Sequence, residues 1–429
     1  MKIKYMRHLL LAGAALVWTG VPGALQAEPL SLSTAMIRAA SADPAREAAQ
    51  QRKAASDAGV RQAGVRPNPS IGLEVENMLG SNPYSGIDQV ETTLSYEHTL
   101  ERGGKRQARI GAASAERDVT VAQGRLRAYG VMGEVQTLWV EATVAASEVN
   151  LARERLMMAR QAQSEIGRRV SAARDPLFAG SLADAEVTRV QIALDQSEAK
   201  SRQARAQLAA YWGGAADFEL DAGWLGDTSA AHLVPVIRDT PELEVMRAQT
   251  RLASAQVRVE STRTTQDMTL QVGVRHYRAD GAVAFLVGGS IPLGIYDTNR
   301  GNIERAQAEN AATAADITVW EQKRARDIAA STARMQGYAE EVRRIEAELI
   351  PQAERAVTQV RAGFARGGFT YRDVMGAQEV LIAAKARRLE VLKDYHLERA
   401  QRDRLTGQWV PLIASVVTDR AGDVSGDAQ

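Results

Sequence analysis

The chain has no cysteine among its 429 residues, only five histidines, and just 5% aromatic side chains. Without cysteine there can be no disulfide framework, no thiolate metal site and no lipid attached through an N-terminal cysteine. Scarce aromatics beside abundant alanine, glutamine and arginine suit long helical rods better than a series of compact cores. Net charge is missing as well: 53 Lys and Arg face 52 Asp and Glu, so no global field draws in a polyanion, and nucleic acid is not expected as a partner. There is no GxSxG, HExxH or GxxxxGK[ST] and no cysteine nucleophile, which argues against an enzyme. His8, His98, His232, His276 and His396 stand apart without ligand spacing, so neither a metal site nor a cofactor is expected. Finally, no apolar run after the N-terminus reaches the roughly 20 residues of a spanning helix. Entry into a membrane would have to use strands.

What is present begins with MKIKYMRHLLLAGAALVWTGVPGALQAEPL. Lys2, Lys4 and Arg7, an apolar run from Leu9 to about Gly20, and small residues up to Ala27 follow the order of a cleavable signal peptide over 1–27. The expectation is an exported protein, whose mature chain would carry 50 basic and 52 acidic side chains.

The rest repeats itself. Pro44, Val60 and Arg61 have counterparts in Pro241, Val257 and Arg258, and Gly104 has one in Gly301, all at an offset of 197. Each half reads as a helix, two alternating stretches, a very long helix, a glycine-containing break and a returning helix. The first repeat is placed at 28–212, with strands about 70–78 and 88–100 and a helical hairpin about 105–212. A linker follows at 213–239, then a second repeat at 240–410 with strands about 268–277 and 282–294 and a hairpin about 302–410. Residues 411–429 are expected to be a disordered tail.

The alternation separates two faces. Ile71, Leu73 and Val75 oppose Gly72, Glu74 and Glu76, and Val90, Leu94, Tyr96 and Leu100 oppose Glu91, Thr93, Ser95 and Glu97. A charge on the lipid side of a strand barrel can cost about 2–4 kcal/mol at the midplane, so Glu74, Glu76, Glu91 and Glu97 are expected to face a wet lumen. Four strands cannot close around such a lumen, and several chains would have to share one barrel. Two soluble hairpins packed on the helices, glutamates outward, are the alternative. The rods, about 100 Å long, need other rods to cover their narrow apolar stripes. At their far ends, Ser181-x-x-Asp184 and Thr370-x-x-Asp373 each follow glycine and look like capping boxes of the returning helices.

These segments, above all RPNPSIGLEVEN, LERGGKRQAR and LIPQAERAVTQVRAGFARGGFTYRDVMGAQEVL, resemble the TolC-type outer-membrane efflux factors. NPSIGLEVEN with ERGGKRQAR is most similar to their CzcC branch, the outer component of heavy-metal efflux systems of the RND type. The resemblance implies a mainly α fold with a membrane β part: a duplicated helix, hairpin and long helical hairpin unit, assembled as a homotrimer. Three chains would form a barrel of about twelve strands, continuous with a long α-helical barrel. It implies an outer-membrane location reaching into the periplasm, and as partners a periplasmic adaptor, an inner-membrane RND pump and outer-membrane lipid. Adaptor docking and gating are carried over to the tip residues Gly180, Ser181, Asp184, Gly367, Gly368, Thr370 and Asp373. An extra RDPLF around Pro176 sets the first tip apart, and the lipidated cysteine of many relatives is absent. The implied cargo is a heavy-metal cation, with a drug or type I secretion channel as one alternative and a soluble periplasmic coiled-coil adaptor as another. In LERGGKRQAR, Gly103 and Gly104, with Gly301 in the second half, read as the hinge from strand to rod. Arg102, Lys105, Arg106 and Arg109 would then lie at the membrane rim, within reach of lipid phosphates.

Overall fold

The computed structural model describes residues 30–413. The expected signal peptide and residues 414–429 of the expected tail lie outside them. Two helices open the chain: α1 (Leu32–Ala42), whose N-cap Ser31 accepts the Thr34 N–H, and α2 (Ala45–Ala63), which starts directly after Pro44. Strands β1 (Ser70–Glu76) and β2 (Glu91–Leu100) lead into α3 (Lys105–Ser171) and the returning α4 (Leu177–Ala210). The connecting segment contains two short 3-10 turns, Gly223–Gly226 and Ser229–His232. Then come α5 (Pro241–Thr262), β3 (Met268–Tyr277), β4 (Val283–Ser290), α6 (Arg300–Arg344), α7 (Ile350–Ala365) and α8 (Tyr371–Thr406). The order helix, strand, strand, long helix, returning helix thus occurs twice.

With no proline in its 67 residues, α3 runs unbroken for about 100 Å. It packs on α2, α4, α5 and α8 along its length. A rod of this shape cannot enclose one large core, and its apolar stripe is buried in a string of small clusters. The largest joins Met36 of α1, Tyr129, Met132, Val135 and Trp139 of α3, and Leu208 of α4 to Ile413. Residues 411–413 are therefore helical and packed, against the expectation of a tail disordered from 411, because Trp409, Leu412 and Ile413 all find apolar partners there. Further along, Val149, Leu156, Val190 and Leu194 form a second cluster, and Ile166, Ala183, Phe364 and Val374 a third near the far end.

In the second half the rod is interrupted. Pro351 has no N–H for the carbonyl four residues back. The chain accommodates it by one widened π turn, Ile345–Leu349, in which the Ile350 N–H reaches Ile345. The helix continues on both sides.

The four strands form one antiparallel sheet in the order β1-β2-β3-β4. Four strand boundaries fall inside the expected ones, the start of β4 by a single residue. β1 stops at Glu76 because Asn77 and Leu79 adopt positive φ. β2 begins at Glu91 after a turn whose Val90 N–H bonds to Ile87. β4 stops at Ser290, ahead of Pro292, which cannot donate to a ladder. Among the described residues no helix is long and apolar enough to cross a membrane.

Candidate functional site: sheet faces, joints and tips

Register assigns every strand residue to a face. One face stacks Val75, Thr92, His276 and Val283, then Leu73, Leu94, Val274 and Phe285, then Ile71, Tyr96, Val272 and Val287. It is bare: Ile71 is 76% exposed, Phe285 83% and Val287 86%. The opposite face carries Glu76 and Glu91; then Glu74, Thr93, Arg275 and Ala284; then Gly72, Ser95, Gly273 and Leu286; then Glu97, Gln271 and Gly288. All four glutamates singled out in the sequence share this face. Here side chains crowd, with Thr93 at 6% and Ser95 at 9% exposure in a single chain. A Cβ at Gly72 would fall 2.8 Å from Ser95 Oγ, and one at Gly273 2.9 Å from the Leu94 carbonyl oxygen. Crowding on one face and exposure on the other are what a sheet curled towards its polar side produces.

Sequence reasoning overlooked Arg275. Its guanidinium pairs with Glu76 and Glu91 at 2.9 Å each and donates to Thr93 Oγ1 at 2.8 Å. Glu76 and Glu91 stand directly opposite each other, an arrangement that like charges disfavour, and Arg275 offsets it. Its alternate position in MTLQVGVRHY was the available signal, since it falls on the side away from Val272 and Val274.

At the first joint Gly103 and Gly104 have φ of 70° and 77°, and Gly104 is the N-cap of α3. A Cβ at Gly103 would strike Thr265 at 2.5 Å, so this position needs glycine twice over. Gly301 is different. It lies in the first turn of α6 and has no positive φ; the left-handed residue of the second joint is Asn299, at φ 56°. Asn299 tolerates that conformation because its amide is held, donating to the Glu260 carbonyl at 2.8 Å and to its carboxylate at 3.0 Å. The hinge assignment of Gly301 is corrected accordingly.

The basic residues after the first joint have protein partners. The Arg102 backbone N–H and the Lys105 ammonium both reach Asp267, at 3.0 and 2.9 Å. Burial pushes the Asp267 carboxyl up, but these two contacts and the nearby Arg109 outweigh it and hold it below its ordinary range. Arg106 donates to the Gly64 carbonyl at 2.5 Å, and Arg109 grips Glu101 and the Val65 carbonyl. Lys105, Arg106 and Arg109 thus tie the end of α2, the start of α3 and the entry to β3 together. Arg102, exposed like Arg106, bonds through its backbone N–H and leaves its side chain in solvent.

The two tips are built alike. Arg174 N–H bonds to the Arg169 carbonyl and Ala173 N–H to that of Val170; Gly368 bonds to Gly363 and Gly367 to Phe364 in the same pattern. Both are Schellman endings, with Ala173 at φ 51° where the second tip has Gly367 at φ 82°. The following turns are equally long, and Pro176 and Thr370 occupy the same N-cap position. RDPLF is therefore no insertion. Only the second tip has a capping box, in which Thr370 N–H and Oγ1 reach Asp373 at 2.8 and 2.7 Å. Gly180, Ser181 and Asp184 lie inside α4, which has already begun at Leu177, so the capping role expected of Ser181 and Asp184 does not hold. Asp184 instead accepts from Gln163 at 2.7 Å. Arg169 joins the tips: it clasps Asp175 through two bonds, donates to the Phe364 carbonyl at 2.7 Å and lies over the Phe364 ring at 4.4 Å.

Among the described residues no group of three or more His, Asp or Glu is placed to hold a metal ion. His396 is a packed core residue, donating from Nε2 to the Leu225 carbonyl at 2.8 Å and meeting Trp224 and Tyr395 edge to face.

Known proteins share this plan. The chain is 28% identical to the cobalt-zinc-cadmium resistance protein CzcC of Cupriavidus metallidurans over 89% of its own length and 91% of that protein. It is likewise 28% identical to the nickel and cobalt resistance protein CnrC of the same organism, over 69% and 68%. The crystal structure of the outer membrane protein VceC of Vibrio cholerae matches its fold with a TM-score of 0.67 at 18% identity, covering 88% of this chain and 96% of that one. The outer membrane efflux protein family matches residues 37–214 and 236–408, and the chain belongs to that family.

Proposed function

We propose that the protein is the outer-membrane exit duct of a tripartite efflux system for heavy-metal cations. In this reading it is a homotrimer whose halves are one structural unit used twice. Its four-stranded sheets join edge to edge into a barrel of about twelve strands, and its helices form a tunnel through the periplasm. The observation that carries the reading is the sheet: bare and apolar on one face, charged and crowded on the other, with β1 and β4 as open edges. Open edges beside an exposed apolar face favour aggregation in water, but in lipid they are completed by β1 of one copy pairing with β4 of the next. A soluble coiled-coil adaptor has no use for such a face. The polar face, with Glu74, Glu76, Glu91 and Glu97, would line the lumen.

At the other end the tips, with Gly180, Ser181, Asp184, Gly367, Gly368, Thr370 and Asp373, would meet the periplasmic adaptor and close the duct towards the pump. Arg102 would reach lipid phosphate at the rim. The protein would act as a passive conduit, not an enzyme, its selectivity shared with adaptor and pump. The metal cargo rests on the relatives, which are named for resistance to cobalt, zinc, cadmium and nickel. A strain lacking the protein should lose tolerance to these cations and keep its tolerance to hydrophobic drugs and detergents. The opposite pattern would assign it to drug efflux.

A further inference from the structure

The polar sheet face has an uneven distribution of charge. It carries four carboxylates and one guanidinium, and all the compensation is at one end. Glu76 and Glu91 adjoin the loop remote from the helices, and Arg275 pairs with both, while Asn77 donates to Glu91 at 2.8 Å. Glu74, in the row of Arg275, and Glu97, two rows nearer the helices, take part in no ion pair among the described residues, and β4 contributes no charge to this face at all. We propose that Arg275 sets the cation preference of the inner wall: it quiets the outer mouth, while Glu97, two rows deeper, forms a cation-attracting ring in the barrel.

The proposal rests on the reading that the polar face lines a wet lumen, and it adds a direction to that lumen. A conduit for cations must attract them enough to admit them and hold them weakly enough to let them leave. Free carboxylates belong where ions enter the barrel. At the exit a bare pair such as Glu76 and Glu91, directly opposite each other, would retain a divalent ion. Arg275 fills that gap with a positive charge braced by Thr93 at 2.8 Å, so Glu76, Glu91 and Arg275 together keep a net charge of one carboxylate per chain.

The natural absence of cysteine makes a direct test available. Single cysteines at Ala284, which faces Arg275 in register, and at Gly288, which lies in the row of Glu97, are labelled on the purified channel. The probes are water-soluble thiol reagents, one cationic and one anionic, and the ratio of their rates reports local potential. In the Ala284→Cys protein, Arg275→Gln should raise the cationic-to-anionic ratio by about threefold or more. In the Gly288→Cys protein, Glu97→Gln should lower it, and Arg275→Gln should change it little. Ratios near unity that neither substitution moves would overturn the proposal while leaving a wet lumen. Failure of both reagents at both sites, with labelling by a lipid-soluble reagent instead, would overturn the lumen reading itself. If Arg275→Gln prevents assembly, Arg275→Lys, which keeps the charge, should assemble and leave the Ala284→Cys ratio unchanged; a changed ratio there would count against charge as the cause.

Discussion

At the scale of single residues, two positions stand out for what they cost. Ala173 holds a left-handed conformation in the first tip, where the second tip has Gly367. An L-residue there gives up about 1–2 kcal/mol, of which glycine's greater freedom in the unfolded chain takes back about half. Ala173→Gly should therefore raise stability by about 0.5–1 kcal/mol, read as a higher melting temperature. A lower one would mean that the Ala173 methyl makes a contact worth more than the strain. His396 costs in another way. Burial pushes its imidazole down to about 4, helped by Arg399 and opposed by its bond to the Leu225 carbonyl and by Asp227. Its folded value lies below its unfolded one, so acid favours the unfolded chain. Stability from this group is complete above about 6.5 and falls by up to about 1.4 kcal/mol per pH unit as pH drops towards 4. Buried Asp403, held above its ordinary range by burial, works in the opposite sense and becomes less unfavourable in acid. Unfolding followed between these two pH values should show a steeper loss for the natural chain than for His396→Gln. Parallel curves would remove His396 from the account.

At the scale of elements, the tips separate two roles that their sequences blur. The capping box of α8 links Thr370 and Asp373, and those bonds hold the Asp373 carboxyl below its usual range. Removing it with Thr370→Ala and Asp373→Ala should cost about 1 kcal/mol of local stability and loosen the second tip. Hydrogen exchange at the start of α8 should quicken, and leakage of large antibiotics through the channel should rise. Unchanged exchange would show that Arg169 and the Phe364 cluster hold the tip without the box.

The same elements show what could be read from the sequence. Alternation gave both strand pairs and the shared face of Glu74, Glu76, Glu91 and Glu97, because side-chain direction in a strand follows period two. Prolines and glycines gave the rods and their turns. The second joint failed where a fixed offset of 197 was carried across the chain, and the first tip where glycine followed by Ser/Thr-x-x-Asp was read as the same signal in both halves. The N-caps Gly104 and Asn299 are 195 apart, and Pro176 and Thr370 only 194. Small length differences accumulate along loops, so Gly301 landed in a helix, while Ser181, matched by motif, lies past Pro176, the true counterpart of Thr370. Arg275, and the link that Arg169 makes between the tips, could not be read because the partners are distant in sequence: Glu76 lies 199 residues from Arg275, and Phe364 195 from Arg169.

At the scale of the molecule, helices and strands expose matching edges. The sheet ends in β1 and β4, and the helices that flank those strands, α2 and α6, pack on α3 and α5 respectively. A closed ring made of identical copies would pair β1 with β4 and α2 with α6 at the same seam. Cross-linking in isolated outer membranes should then give a limit product of three chains. A product of one chain, with the protein released by salt alone, would leave the sheet unexplained. The unbroken α3 also acts as a ruler. Between Gly104 and Ala173 no proline or bulge gives the protein room to shorten, so the distance from sheet to tip is set by residue count alone. Seven residues more, matched in the returning helix and in the second half, would lengthen that distance by about 10 Å while preserving the facing stripes. Whatever completes the path from the inner membrane has to be cut to the same measure.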